Sequence, residues 1–216
     1  MAVAQLDAGK LSELARFSGD PWKPENKYFT WAEGVMEGYW SNFVWPFING
    51  SDFFRVVDLA AGHGRNAAKM LEIAGEIFVL DIQAGNVDLC KKRFANDANV
   101  HCAKNNGFDL QPVPDGWATL VYCFDAMVHF DSDVVRSYLR DARRVLKPGG
   151  RAFLHHSNYT KGTADWTVAP HSRNFMSKEF FAHYAIKEGL TVVKQQVLDW
   201  GDDKDLDCFS LVQRPA

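Results

Sequence analysis

The chain has 216 residues, a formal net charge of −3 and charges of both signs interspersed along it. That length suits one α/β domain that buries a core without disulfides, and the charge balance leaves no electrostatic footprint for a nucleic acid or an anionic membrane. Cys90, Cys102, Cys123 and Cys208 stand apart with no CxxC pair, the pattern of reduced, mostly buried thiols in a cytoplasmic protein. No apolar leader opens the chain, and no run approaches the roughly 18 apolar residues of a membrane span.

Residues 1–27 are polar, carry Pro21 and Pro24, and predict a short helix over 10–17. Next come Tyr28, Phe29, Trp31, Tyr39, Trp40, Phe43, Trp45 and Phe47, a segment expected to be helical up to the residue before Pro46. Residues 1–50 therefore read as an aromatic-rich helical cap on a domain spanning 51–216. The plain reading is a helix packed on a sheet; the sharper one is a lid with Trp31 or Trp40 facing a cleft. Strands are expected over 53–58, 76–81, 99–103, 118–124 and 150–156, alternating with helices over 65–74, 85–95 and 132–146. Such alternation gives a parallel sheet covered on both faces. Ser177 caps a helix over 177–188 that ends at Gly189, and two strand-like runs, 191–198 and 206–212, then close a hairpin around Trp200-Gly201-Asp202-Asp203-Lys204.

The stretch with most chemical content is Asp58-Leu59-Ala60-Ala61-Gly62-His63-Gly64-Arg65-Asn66, set behind an apolar run. It reads as strand, glycine turn and helix start, where the backbone can approach a ligand closely. Gly62-x-Gly64-x-x-Ala67 fits a dinucleotide fingerprint, so a nicotinamide-dependent oxidoreductase is one reading. Asp58 favours another: a pyrophosphate there would meet like charge, whereas the ammonium of the methionine part of S-adenosyl-L-methionine (SAM) would be attracted, directly or through water. Asp81 ends the second apolar run, where an acid can take a ribose diol.

These residues, with Val79-Leu80-Asp81-Ile82, Cys123-Phe124-Asp125-Ala126-Met127-Val128-His129 and Arg144-Val145-Leu146-Lys147-Pro148-Gly149-Gly150-Arg151, resemble the class I SAM-dependent methyltransferases. The Gly-His-Gly-Arg-Asn turn, His155-His156-Ser157-Asn158 and Asp207-Cys208 are similar to a bacterial branch of sugar and small-molecule O-methyltransferases. The resemblance implies a Rossmann-like, mostly parallel seven-stranded sheet with a closing antiparallel hairpin, and SAM as cofactor. It implies cofactor-binding positions at Asp58, Ala60, Gly62, Gly64, Asn66, Asp81, Ile82, Phe124 and Asp125, with Asn106, Gly107 and Phe108 against the adenine.

Methyl transfer to a hydroxyl needs alignment and a base. Three histidines are candidates. His129 follows the fourth strand, and its rival reading is a structural histidine packed on the next helix. His155 and His156 are neighbours on a strand and point to opposite faces, so at most one serves. That pair makes no metal site alone, although Asp125 and Asp165 could converge on it. Arg65 is placed to reach a SAM carboxylate or to cap the turn, and Arg173, in 171–174, to meet substrate or solvent. The Asn/Asp-Pro-Pro-aromatic turn of base N-methylating enzymes is missing at Phe124-Asp125-Ala126-Met127. The expectation is an enzyme transferring methyl from SAM to a small-molecule hydroxyl, a sugar among the options, with no nucleic-acid or membrane partner. A SAM-binding module without catalysis is the remaining rival.

Overall fold

The computed structural model describes residues 7–161, 166–168 and 172–216. Its seven strands are β1 (Arg55–Leu59), β2 (Glu76–Asp81), β3 (Val100–Lys104), β4 (Ala118–Cys123), β5 (Leu146–Ser157), β6 (Thr191–Trp200) and β7 (Asp203–Gln213). They form one sheet in the order β3-β2-β1-β4-β5-β7-β6. The first five run parallel, and β7 pairs antiparallel with both β5 and β6. This is the Rossmann-like class I methyltransferase architecture. The order reverses between β1 and β4, so the crevice beyond their carboxyl ends is where an open α/β sheet holds ligand.

The helices are α1 (Ala8–Gly19), α2 (Tyr28–Tyr39), α3 (Trp45–Ile48), α4 (Arg65–Met70), α5 (Ala84–Arg93), α6 (Ser132–Val145) and α7 (Lys178–Lys187). Two apolar clusters sandwich the sheet. One gathers Leu59, Leu80, Val121, Leu139 and Phe181 with α1 and α6; the other gathers Val56, Met70, Ile77, Phe153 and Phe209 with α3 and α4. β4 is buried along its whole length, as expected of a central parallel strand.

Local signals act as expected at several ends. Ser177 accepts from the Phe180 N–H and starts α7; Asp131 does the same for α6 through Asp133. The helix does not stop before Pro46. A π-turn over Trp40–Val44, in which the Trp45 N–H reaches back to the Trp40 carbonyl, carries the chain into α3 with Pro46 in its first turn. A residue without an N–H costs nothing in a first turn. β5 begins at Leu146 rather than 150, with an irregularity in its pairing to β4 between Ala118 and Leu120. No helix among the described residues is long and apolar enough to cross a membrane.

Candidate active site

A cleft holding about 850 Å³ of empty space, its open mouth included, lies at the carboxyl edge of the parallel strands. Its floor is Leu59, Ala60, Ala61, Gly62, Asp81, Ile82, Asn105, Gly107, Phe124 and Asp125, one stretch behind each of β1 to β4. Its roof comes from the other end of the chain: Ala15, Ser18 and Gly19 of α1, Trp22, and Tyr28, Phe29 and Glu33 of α2. Phe130, Val134 and Tyr138 make a further apolar wall.

The glycine turn shapes the floor. Gly62 has φ +56°, and a Cβ there would lie 2.4 Å from Phe29 Cε1. Gly64, at φ +79°, precedes α4, and its Cβ would lie 2.7 Å from Phe94. Both positions need the left-handed region and close approach, which only glycine gives without strain. Phe29 stacks on His63 with centroids 4.1 Å apart, so the roof rests directly on the turn.

Asp81 lines the cavity. Its carboxylate accepts from the Gly62 N–H at 2.9 Å, the Gln83 N–H at 2.8 Å and Asn86 Nδ2 at 3.3 Å. Burial raises its pKa from the ordinary carboxylate value to about 6, and its remaining lone pairs suit a diol. Asp58 is placed differently from the sequence expectation. It is fully buried beneath the turn and outside the lining, where Oδ2 accepts from the Ala67 N–H at 3.0 Å and holds α4 to the strand. Burial lifts its pKa to about 7, and its Oδ1 has no hydrogen-bond partner.

After β3, the cavity meets Asn105 and Gly107, not Asn106 or Phe108. Asn106 faces solvent and closes its own turn, accepting from the Phe108 and Asp109 N–H groups. Phe108 packs against the core. Asn105 is buried, donates to Tyr138 and to the Asp109 carbonyl, and leaves Oδ1 without a partner.

At the other end, Asp125 has φ +59°. Its Oδ2 accepts from the Tyr28 hydroxyl and from Arg65 Nη2, the latter at 2.9 Å. Arg65 also donates to the Ala32 carbonyl at 3.0 Å and to Tyr28 at 2.8 Å, so it neither caps the turn nor stands unpaired. Asn66 lines the cavity beside it.

Of the three histidines, only His129 lines the cavity. Its Nδ1 lies 2.5 Å from the Ser172 carbonyl, which fixes the proton on Nδ1, and its ring stacks on Trp22 at 4.7 Å. Burial, then the charge of Arg173, lowers its pKa to about 4. His155 is fully buried within the sheet, between the Asp125 N–H and Asp207. His156 points the other way, flat on Phe181 at 4.0 Å and bonded to Ser210. Neither lines the cavity, although both stand at the carboxyl end of β5: Phe124, Trp200 and Phe209 close in the His155 ring and Phe181 covers that of His156.

Arg173 is buried and paired with Asp207 rather than solvated. His171 and Asp165 lie outside the described residues. Among the described residues no three His, Cys, Asp or Glu side chains converge to hold a metal. Of the roof, Tyr28 and Phe29 belong to the aromatic segment singled out in the sequence; Trp31 and Trp40 do not line the cavity, and Trp31 is 54 % exposed. Trp22 and Ala15 gave no sequence signal, being single apolar residues in a polar lead-in.

Residues 56–150 match a family model described as a methyltransferase domain. The chain is 25% identical over 162 residues to the biotin biosynthesis bifunctional protein BioHC of Cellvibrio japonicus, covering 75% of this chain and 29% of that protein. It is 28% identical over 130 residues to the ubiquinone/menaquinone biosynthesis C-methyltransferase UbiE of Vibrio cholerae, covering 56% of this chain and 48% of that protein. The chain thus spans less than half the length of these curated relatives. Among solved structures, a SAM-dependent methyltransferase of Leishmania major superposes with a TM-score of 0.69 at 16% identity, covering 95% of this chain and 82% of that one. One from Mesorhizobium loti gives 0.63 at 16%, covering 79% and 97%; at such identities the likeness speaks for the fold. Motif, fold, family model and relatives agree: residues 56–150 match a methyltransferase domain, and the fold is that of the class I SAM-dependent methyltransferases.

Proposed function

We propose that this chain transfers the methyl group of SAM to a small molecule enclosed beneath α1 and α2, at an oxygen whose proton is taken by His129. The observation that carries the reading is the placement of His129, a buried imidazole held in one tautomer, on the same cavity as the glycine turn, Asp81 and Asn105. The cradle fits the cofactor: Ala60 to Gly62 offer close backbone, Asp81 lone pairs for the ribose, Ile82 and Val134 apolar walls, and Asn105 an unpartnered oxygen. Asp58 and Gly64 serve from beneath by fixing the turn. When bound, SAM supplies an activated methyl on a sulfonium.

The protein's own contribution is alignment and exclusion of water, worth on the order of 7 to 11 kcal/mol for a well-held pair, plus a proton acceptor. With its pKa near 4, His129 is neutral at physiological pH and always ready, but a weak base. Such a base matches an acidic hydroxyl, a phenol or an enol, better than the alcohol of a sugar. The ionised form of such an acceptor is nucleophilic at carbon too, and relatives named C-methyltransferases support carbon as a second reading.

Calorimetry with S-adenosylhomocysteine and with NAD, followed by a screen of phenols, enols and sugars for S-adenosylhomocysteine release, tests the proposal. Binding of the former with turnover of an acidic acceptor is expected, and product NMR then separates O–CH3 from C–CH3. Binding without turnover of any acceptor would favour a non-catalytic SAM-binding module.

A further inference from the structure

We propose that Asp207, which does not touch the cavity, is a positioning residue that fixes Asp125 and His129 together. The inference rests on the methyl-transfer reading of that cavity. Asp207 lies on β7 opposite Ser157 of β5 and is fully buried. Two arms leave it.

The first runs through His155. The Asp125 N–H donates to His155 Nδ1 at 3.1 Å, so the ring proton sits on Nε2 and is directed at Asp207 Oδ2, 3.1 Å away. Asp125 has left-handed backbone, which Asp adopts more readily than most side-chain-bearing residues but still as a single strained position, and a bond to its N–H helps to hold it there. His155 provides that hold and Asp207 orients His155.

The second arm runs through Arg173, whose Nε and Nη2 reach Asp207 Oδ1 and Oδ2 at 2.7 and 2.8 Å. This two-pronged geometry fixes both position and orientation. The residues on either side of Arg173 carry His129: the Ser172 carbonyl accepts from its Nδ1, and Asn174 donates from its backbone to the Val128 carbonyl at 3.0 Å and from Nδ2 to the His129 carbonyl at 3.4 Å. One carboxylate thus organises groups that come from β5, from the 172–174 segment and from the loop after β4. Asp207 bonds both arms, His155 on one side and Arg173 on the other.

The test reads histidine rings by two-bond 1H–15N correlation in the full-length protein, so it needs no acceptor. In the wild type, His155 is expected as the Nε2–H tautomer and His129 as the Nδ1–H tautomer. Asp207→Asn should move the ring nitrogens of both while leaving His156 in place. Ser210→Ala, on the same buried strand, should move His156 alone. Should Asp207→Asn fail to fold, Arg173→Lys keeps a cation but loses the fork, and should shift His129 while sparing His155. With an acceptor in hand, Asp207→Asn should lower kcat at least tenfold and leave S-adenosylhomocysteine affinity within threefold. A folded variant in which His129 keeps its wild-type shifts overturns the proposal. Failure to bind S-adenosylhomocysteine would instead overturn the methyl-transfer reading and leave the spectra to judge Asp207.

Discussion

Arg65 Nη2 lies 2.9 Å from Asp125 Oδ2, and each side chain is only 8 % exposed. Because Arg65 also grips the Ala32 carbonyl and Tyr28, this ion pair joins the start of α4, the turn after β4 and the roof helix α2. Breaking a buried pair on one side leaves an uncompensated charge. Arg65→Met should therefore cost about 3 to 5 kcal/mol in urea unfolding, and Arg65→Met with Asp125→Asn should cost less than the sum of the single changes. Additive losses would show that the two groups do not depend on each other.

The pH dependence of stability carries the mark of the buried carboxylates. Asp58 and Asp81 are raised in the folded state to about 7 and about 6 by burial. A raised folded pKa stabilises fully below the unfolded value near 4, and that contribution is lost as pH climbs through the folded value. Asp58→Asn keeps an acceptor for the Ala67 N–H and removes the charge. It should melt higher than wild type at pH 8 and no higher at pH 4, as followed by circular dichroism. An equal difference at both pH values would contradict the buried, uncompensated Asp58.

His129 has the opposite sign. Its folded pKa is depressed to about 4, so stability from the neutral ring is complete above the unfolded value near 6.5 and falls as pH drops through 4. His129→Ala should lower turnover by roughly 10² to 10⁴ with cofactor affinity nearly constant, whereas His156→Ala should act on stability alone. Unchanged turnover in a folded His129→Ala enzyme would leave alignment to carry the reaction.

Gly62→Ala meets two obstacles: left-handed backbone and the edge of Phe29. The first alone costs roughly 1 to 2 kcal/mol. Adding Phe29→Ala should recover the steric part but not the backbone part, in both melting temperature and S-adenosylhomocysteine affinity. Full recovery would mean that the backbone term is negligible.

If α1 and α2 roof a bound cofactor, S-adenosylhomocysteine should slow amide exchange over Tyr28–Tyr39 more than over β4. Equal slowing would reduce the segment to packing.

Sequence reading did well where chemistry is local. The apolar run 76–81 ending in an acid places β2 and Asp81, and the Gly62 turn places the floor. It missed where a partner is distant or a register shifts by one. Neither alternative for Arg173, substrate or solvent, includes its partner Asp207, because that residue is 34 positions away. Asn106 rather than Asn105 was expected because the end of β3, set only by its pairing with β2, decides which amide turns inward. Asp58 was read as a ligand because a strand-end acid can face either the ligand or the helix behind it. Burial and the Ala67 N–H put Asp58 on the helix side, and neither is visible in a string of letters.

The cavity's roof is made before its floor. During synthesis α1 and α2 emerge ahead of every strand, and Tyr28 has no Asp125 to bond until almost a hundred further residues have been added, the two being 97 apart. Phe29 waits for His63 of the glycine turn, and Tyr39 and Trp40 wait for Phe124 and Tyr122 at the end of β4. An aromatic-rich segment thus waits for its partners in the nascent chain, the kind of transiently exposed apolar surface that invites association. The cavity therefore cannot close before β4 has been made, and a chain halted short of β4 would carry its roof open.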